Sequence, residues 1–175
     1  MIYLVGINHS FQVRAVLPFG EGGLENAGSA NVAVALEAYV GELVDRCRIR
    51  TVAEECSAEC LIDKLQVDQK AYLVAKRVCE QRGHVQHIFC DPNRTERKAL
   101  YAAAGVSEAD DARLGFPIRE SEWLRRLRPH IPLGELLFLC GTNHVPSFLQ
   151  RLTEAHIATI VACEDFGAHF LANSS

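Results

Sequence analysis

No stretch of this chain approaches the ~20 consecutive apolar residues that a membrane-spanning helix needs. Nor does a basic region followed by a cleavage site precede the first apolar run, so no secretory leader is expected. The formal charge is only −4, which gives no electrostatic reason to expect nucleic acid or an anionic membrane as a partner. The glycines between residues 20 and 28 lack the Gly-Lys-Ser/Thr ending of a phosphate-cradling loop. The cysteines number seven, an odd count, and several fall at apolar positions of expected helices or strands. That pattern fits reduced thiols in a cytoplasmic protein better than a disulfide framework. Low-complexity tracts, long repeats and linker-like stretches are absent, and 175 residues suffice for one domain with its own core.

What the chain does contain is a short pattern that occurs twice. Ile2-Tyr3-Leu4-Val5-Gly6-Ile7-Asn8-His9 near the start returns as Leu136-Leu137-Phe138-Leu139-Cys140-Gly141-Thr142-Asn143-His144 near the end. Each copy is an apolar run followed by Gly-x-Asn-His. Such a run reads as a buried strand, with the glycine allowing a sharp turn where the strand stops. The histidine then falls just past the strand's carboxyl end, the edge at which open α/β sheets bind ligands.

The remaining elements alternate. A clean helical stripe runs through Val32, Ala35, Leu36, Tyr39, Val40, Leu43, Val44 and Cys47, with Ser29 placed to cap it. Residues 49–53 read as a strand ending in Glu54-Glu55, and 57–65 and 69–82 as helices. Residues 85–90 read as a third strand, ended by Asp91-Pro92-Asn93. A helix follows over 94–104, stopped by Gly105, then a loop over 106–117 and a helix around 119–128. A fourth strand spans 135–140, a helix about 146–155 and a last strand 157–163. Strands alternating with helices imply an α/β, three-layer sandwich around a largely parallel sheet of about five strands, all in a single domain over 1–175. Residues 10–28 form a loop of a length more often found in a functional lid or a disordered segment than in a plain connector.

If the strands are parallel, His9, Glu54, Glu55, Asp91, His144 and Glu164 with Asp165 all arrive at one edge. Two imidazoles and several carboxylates suit Zn, Mn, Fe or Co. They also suit metal-free chemistry, with a histidine as general base and a carboxylate orienting it. Pro146 fits the first turn of the helix after the second motif, placing His144 at a helix N-terminus, where the dipole favours a neutral ring. Asn8 and Asn143 can hydrogen-bond the turns or a neighbouring carboxylate. Arg119, Arg125, Arg126 and Arg128 form a basic face while Trp123 and Leu127 turn to the core. The plainer reading of that face is a solvated surface; the functional reading has Arg119 or Arg126 reach the edge and hold an anionic substrate group, with Asp91 as a further candidate or as the cap of the Pro92 turn. Cys56, Cys60, His84, His87 and Cys90 do not match structural-zinc spacing, and buried cysteine is read as a small hydrophobe.

The paired Gly-x-x-His motifs and the acidic pair after the second strand resemble the superfamily that joins TraB and Tiki proteins, ChaN-like proteins and erythromycin esterases. Arg119-Glu120-Ser121-Glu122-Trp123 is similar to its Arg-acid-x-x-apolar signature. The resemblance implies an α/β sandwich and hydrolysis: metal-dependent peptide cleavage in Tiki-type members, ester cleavage in the esterases. ChaN-like members bind haem instead. Carried over, His9 and His144 match the motif histidines, and Glu54 or Glu55 the acidic position. The expectation is therefore a cytoplasmic hydrolase acting on a small molecule or peptide, possessing no membrane segment and able to self-associate. In it His9, His144, Glu54 and Glu55 would be catalytic, would hold a divalent metal (Zn, Mn, Co or Fe), or both. The competing expectation is a non-catalytic ligand-binding module, metal or haem type, on the same fold.

Overall fold

The computed structural model describes residues 1–8, 25–59, 74–107 and 114–167, with residues 25–32 traced by backbone alone. Among these residues the chain forms five parallel strands and five helices. The strands are β1 (Ile2–Ile7), β2 (Ile49–Glu54), β3 (Gln86–Phe89), β4 (Glu135–Gly141) and β5 (Thr159–Phe166). The helices are α1 (Glu25–Arg46), α2 (Val74–Arg82), α3 (Arg94–Ala104), α4 (Phe116–Leu127) and α5 (Val145–Glu154). The sheet order is β3-β2-β4-β1-β5. The fold is thus α/β with an all-parallel sheet covered on both faces, as the alternation of elements implied. None of the described helices is long and apolar enough to cross a membrane.

Both faces of β1 and β4 are apolar because both are covered. On one side Val5, Leu137 and Leu139 pack with Leu36, Val40 and Leu43 of α1 and Val74 and Val78 of α2. On the other, Ile2, Leu4, Leu136 and Phe138 pack with Trp123 and Leu127 of α4 and Phe148 and Leu152 of α5. Trp123, as expected, faces this core and is fully buried. Side-chain alternation also divides the acidic pair at the end of β2. Val52 lies in the α1/α2 cluster and Ala53 in the α4/α5 cluster, so the adjacent Glu54 and Glu55 leave on opposite faces.

Several boundaries differ from the sequence reading. Helix α1 already runs from Glu25, so Ser29 lies inside it rather than at its cap, and the expected 10–28 loop is helical over its last residues. The rest of that loop, residues 10–24, lies outside the described residues, as do His9, 60–73 and 108–113. Strand β5 extends to Phe166 and contains Glu164 and Asp165. Phe166 draws the strand onward because its ring stacks on Tyr39 of α1, with centroids 5.2 Å apart. Helix α3 has the expected limits, set by an Asn93–Glu96 capping box and by Gly105 at φ 67°.

The motif glycines do not serve as turn residues. Gly141 is extended, at φ −63° and ψ 142°, and Gly6 lies within β1. What requires glycine at position 6 is close approach. The β1–β5 register slips between Leu4 and Val5 and again between Val5 and Ile7, and the second bulge presses the Glu164 backbone onto Gly6. A Cβ at Gly6 would lie 2.0 Å from the Glu164 carbonyl oxygen and 2.7 Å from Val145 Cγ2. Gly6→Ala is therefore expected to cost about 3 kcal/mol or more. Gly83→Ala, at φ +63° with nothing within 4 Å, is expected to cost only about 1 kcal/mol. Urea denaturation of the two variants measures the contrast, and equal costs would refute the close-approach explanation.

Candidate functional site

The second motif builds the centre of the site. β4 ends at Gly141, a single 3₁₀ turn covers Thr142–His144, and His144 is the N-cap of α5. Pro146 sits in the first turn of that helix, as the sequence suggested. The His144 ring is 1% exposed. Phe116 packs on it at 3.9 Å between centroids and Trp123 meets it edge-on at 4.8 Å. An imidazole enclosed by aromatic rings needs polar partners in the ring plane, and it has two. Nδ1 lies 2.9 Å from Glu120 Oε1. Nε2 faces Glu55 Oε1 at 3.4 Å.

Each carboxylate is held in turn. Glu120, itself 1% exposed, accepts a hydrogen bond of 2.6 Å from the Ser147 hydroxyl. Glu55 accepts from the Gly141 backbone N–H through Oε2 at 2.7 Å and from Arg119 Nη2 through Oε1 at 2.6 Å. Arg119 donates Nε to Asp91 Oδ1 at 2.9 Å. Asp91 also receives the Trp123 indole N–H at 2.9 Å and Arg97 Nη2 at 2.5 Å. Burial alone would lower the Arg119 pKa, but the Asp91 and Glu55 carboxylates outweigh it and hold the guanidinium charged.

The expected site residues therefore divide. Glu55, Asp91, Arg119 and His144 form one connected network on the α4/α5 face. Glu54 is on the other face, where its carboxylate contacts His87 Nε2 at 2.6 Å. One residue of strand parity separates the two glutamates. Arg119, expected to reach for a substrate anion, is buried and spends two of its donor groups on Asp91 and Glu55. Asn8 donates its amide to Asp165, whereas Asn143 is exposed. The thiol of Cys140, next to the motif, is pushed well up by burial, and that of Cys79 up to about 11, again by burial first. Both are poor nucleophiles.

Glu120, the acid of the Arg-acid-x-x-apolar signature, is a site residue that was not among those expected. Its signal lay in helical spacing: Glu120, Trp123, Leu124 and Leu127 share one buried stripe of α4, and an acid in such a stripe calls for a buried partner. Among the described residues no three His, Cys, Asp or Glu side chains are grouped to hold a metal ion. Comparison of the chain with protein-family models, curated proteins and solved structures gave no match.

The network carries two expectations for stability. Asp91→Ala leaves Arg119 with one carboxylate and strands the Trp123 N–H, so a loss of about 3–5 kcal/mol is expected in chemical denaturation; a loss below about 1 kcal/mol, the scale of an exposed ion pair, would contradict the network's weight. Glu122 is clamped by Arg125 and Arg126 at 2.7 Å each. Arg125 first, then Arg126, hold its carboxyl below the ordinary 4.5 against the opposing effect of burial. A lowered folded-state value means the contribution is present above pH 4.5 and is lost as pH falls through the folded value. The Tm difference between the parent and Glu122→Gln is thus expected to be constant from pH 7 to 5 and to shrink below it.

Proposed function

We propose that this chain is a hydrolase of the TraB, ChaN-like and erythromycin esterase type, cleaving an ester or peptide bond at His144. The observation that carries the reading is the buried Glu120–His144–Glu55 array at the carboxyl edge of a parallel sheet. With Nδ1–H donated to Glu120, Nε2 and Glu55 Oε1 lie 3.4 Å apart, and a water admitted beside the pair as the two side chains part would have one proton acceptor on each side. His144 takes the water proton as the oxygen attacks the carbonyl, and then returns it to the leaving group. Glu120 fixes the tautomer and balances the imidazolium charge that forms. Arg119 and the Gly141 N–H keep Glu55 aimed. His9, adjoining Asn8 at the end of the neighbouring strand, is proposed as the second imidazole.

The donor chemistry is also that of a divalent metal site. One nitrogen and one oxygen lie 3.4 Å apart, and the far nitrogen of the imidazole is backed by a carboxylate, the usual arrangement behind a ligating histidine. His144 and Glu55, with His9, would hold Zn, Mn, Co or Fe, which when bound supplies Lewis acidity toward the carbonyl. Glu54 does not join this array. Among the described residues Cys47, Cys79, Cys90, Cys140 and Cys163 carry free thiols, which supports a cytoplasmic setting.

The burial of His144 beneath Phe116 favours one second reading, a ligand binder of metal or haem type that performs no chemistry. A panel of p-nitrophenyl esters and fluorogenic peptides, assayed on protein purified without a His tag and examined for metal content and a Soret band, separates the two. Hydrolysis is expected, with activity lost about 10²-fold or more in His144→Ala and about 10–100-fold in Glu120→Gln. Activity unaffected by either change would refute the mechanism, and a Soret band without hydrolysis would favour the binder.

A further inference from the structure

Outside the network around Arg119, one carboxylate joins the ends of three strands. Asp165, near the end of β5, accepts the Asn8 side-chain amide on both oxygens, at 3.1 and 3.2 Å, and the Thr142 hydroxyl on Oδ1 at 3.2 Å. Asn8 follows β1 and Thr142 follows β4, and the preceding residues Ile7 and Gly141 are register partners. β5 borders β1 but not β4, so the Asp165 side chain reaches past the end of β1 to the third strand. The bulge between Cys163 and Phe166 makes this possible. It adds a residue to β5 opposite Gly6, and bulges of this kind re-aim side chains beside functional sites. An ionised carboxylate, as an acceptor with several lone pairs, can take both donors at once. Thr142 opens the 3₁₀ turn that closes through the Val145 N–H and carries His144. The residue that Asp165 holds on β1 immediately precedes His9.

We infer that Asp165 is a positioning residue: by binding Asn8 and Thr142 together it sets the His144 turn against the end of β1. The catalytic consequence rests on the hydrolase reading, but the positioning itself does not. The test compares Asp165→Ala, Asp165→Asn and, as a control at the far end of β5, Thr159→Val. Two readouts are used: the ¹H–¹⁵N ring signals of His144 in each folded variant, and steady-state hydrolysis. Asp165→Ala is expected to displace the ring signals and to lower kcat about 10–100-fold, with KM changed less than about threefold. Asp165→Asn, which keeps an acceptor oxygen, is expected to recover part of both effects, and Thr159→Val to move neither. Should Asp165→Ala fail to fold, Asn8→Ala and Thr142→Val remove the two arms singly and carry the same expectation for the ring. Unmoved His144 signals in these variants would overturn the inference even if hydrolysis is robust. A parent protein without hydrolysis would instead overturn the proposed function, and displaced ring signals would still uphold the role of Asp165.

Discussion

The arrangement of this edge depends on one buried cation. A parallel sheet delivers the carboxyl ends of its strands to a single side, and here β2 and β3 bring Glu55 and Asp91 there together. Two carboxylates at such an edge repel each other and resist burial. Arg119 resolves the conflict by lying between them, with Nη2 on one and Nε on the other. A buried pair of this kind is weak evidence for net stability, because desolvation offsets much of the attraction. Its effect is on geometry: Glu55 is held in the interior with an oxygen presented to His144. The same helix supplies Glu120, so α4 brings both the charge that permits Glu55 and the carboxylate that backs the imidazole.

The two copies of Gly-x-Asn-His end neighbouring strands, paired from Ile2 with Leu136 to Ile7 with Gly141. That adjacency is the structural meaning of the repeat. The copies are not equivalent, since Gly6 is forced by the backbone of β5 pressing on it, while Gly141 has an ordinary extended backbone and matters through its N–H to Glu55. The bulge that demands glycine at position 6 also turns Asp165 inward. Motif and bulge are therefore one feature seen from two strands.

Much of this architecture was legible in the sequence, because burial on both faces writes itself as apolar runs separated by helical stripes. The strands, the three-layer arrangement, the core positions of Trp123 and Leu127 and the meeting of Glu55, Asp91 and His144 came from it. The parts that did not come from it depend on single-residue geometry. Glu54 and Glu55 are indistinguishable in composition, and only strand parity sends one to His87 and the other to His144. Arg119 looked available because a sequence does not show which carboxylates a guanidinium will meet. β5 outran its apolar run because Phe166 found Tyr39 of α1 on the same face of the sheet, a contact between elements far apart in the chain. Glu120 was legible only as the acid of the Arg-acid-x-x-apolar signature, although its spacing with Trp123 and Leu127 also marked a buried position.

The central claim is that His144 and Glu55 share their site with the histidine of the first motif. A crystal structure with anomalous data at the Zn, Fe, Co and Mn edges tests it most directly. The expected result is a His9 ring nitrogen within about 4 Å of His144 Nε2, the reach of two ligands on one ion, with a metal or a water between them and Glu55. A His9 ring turned away from the carboxyl edge, with no group shared between the two imidazoles, would contradict it.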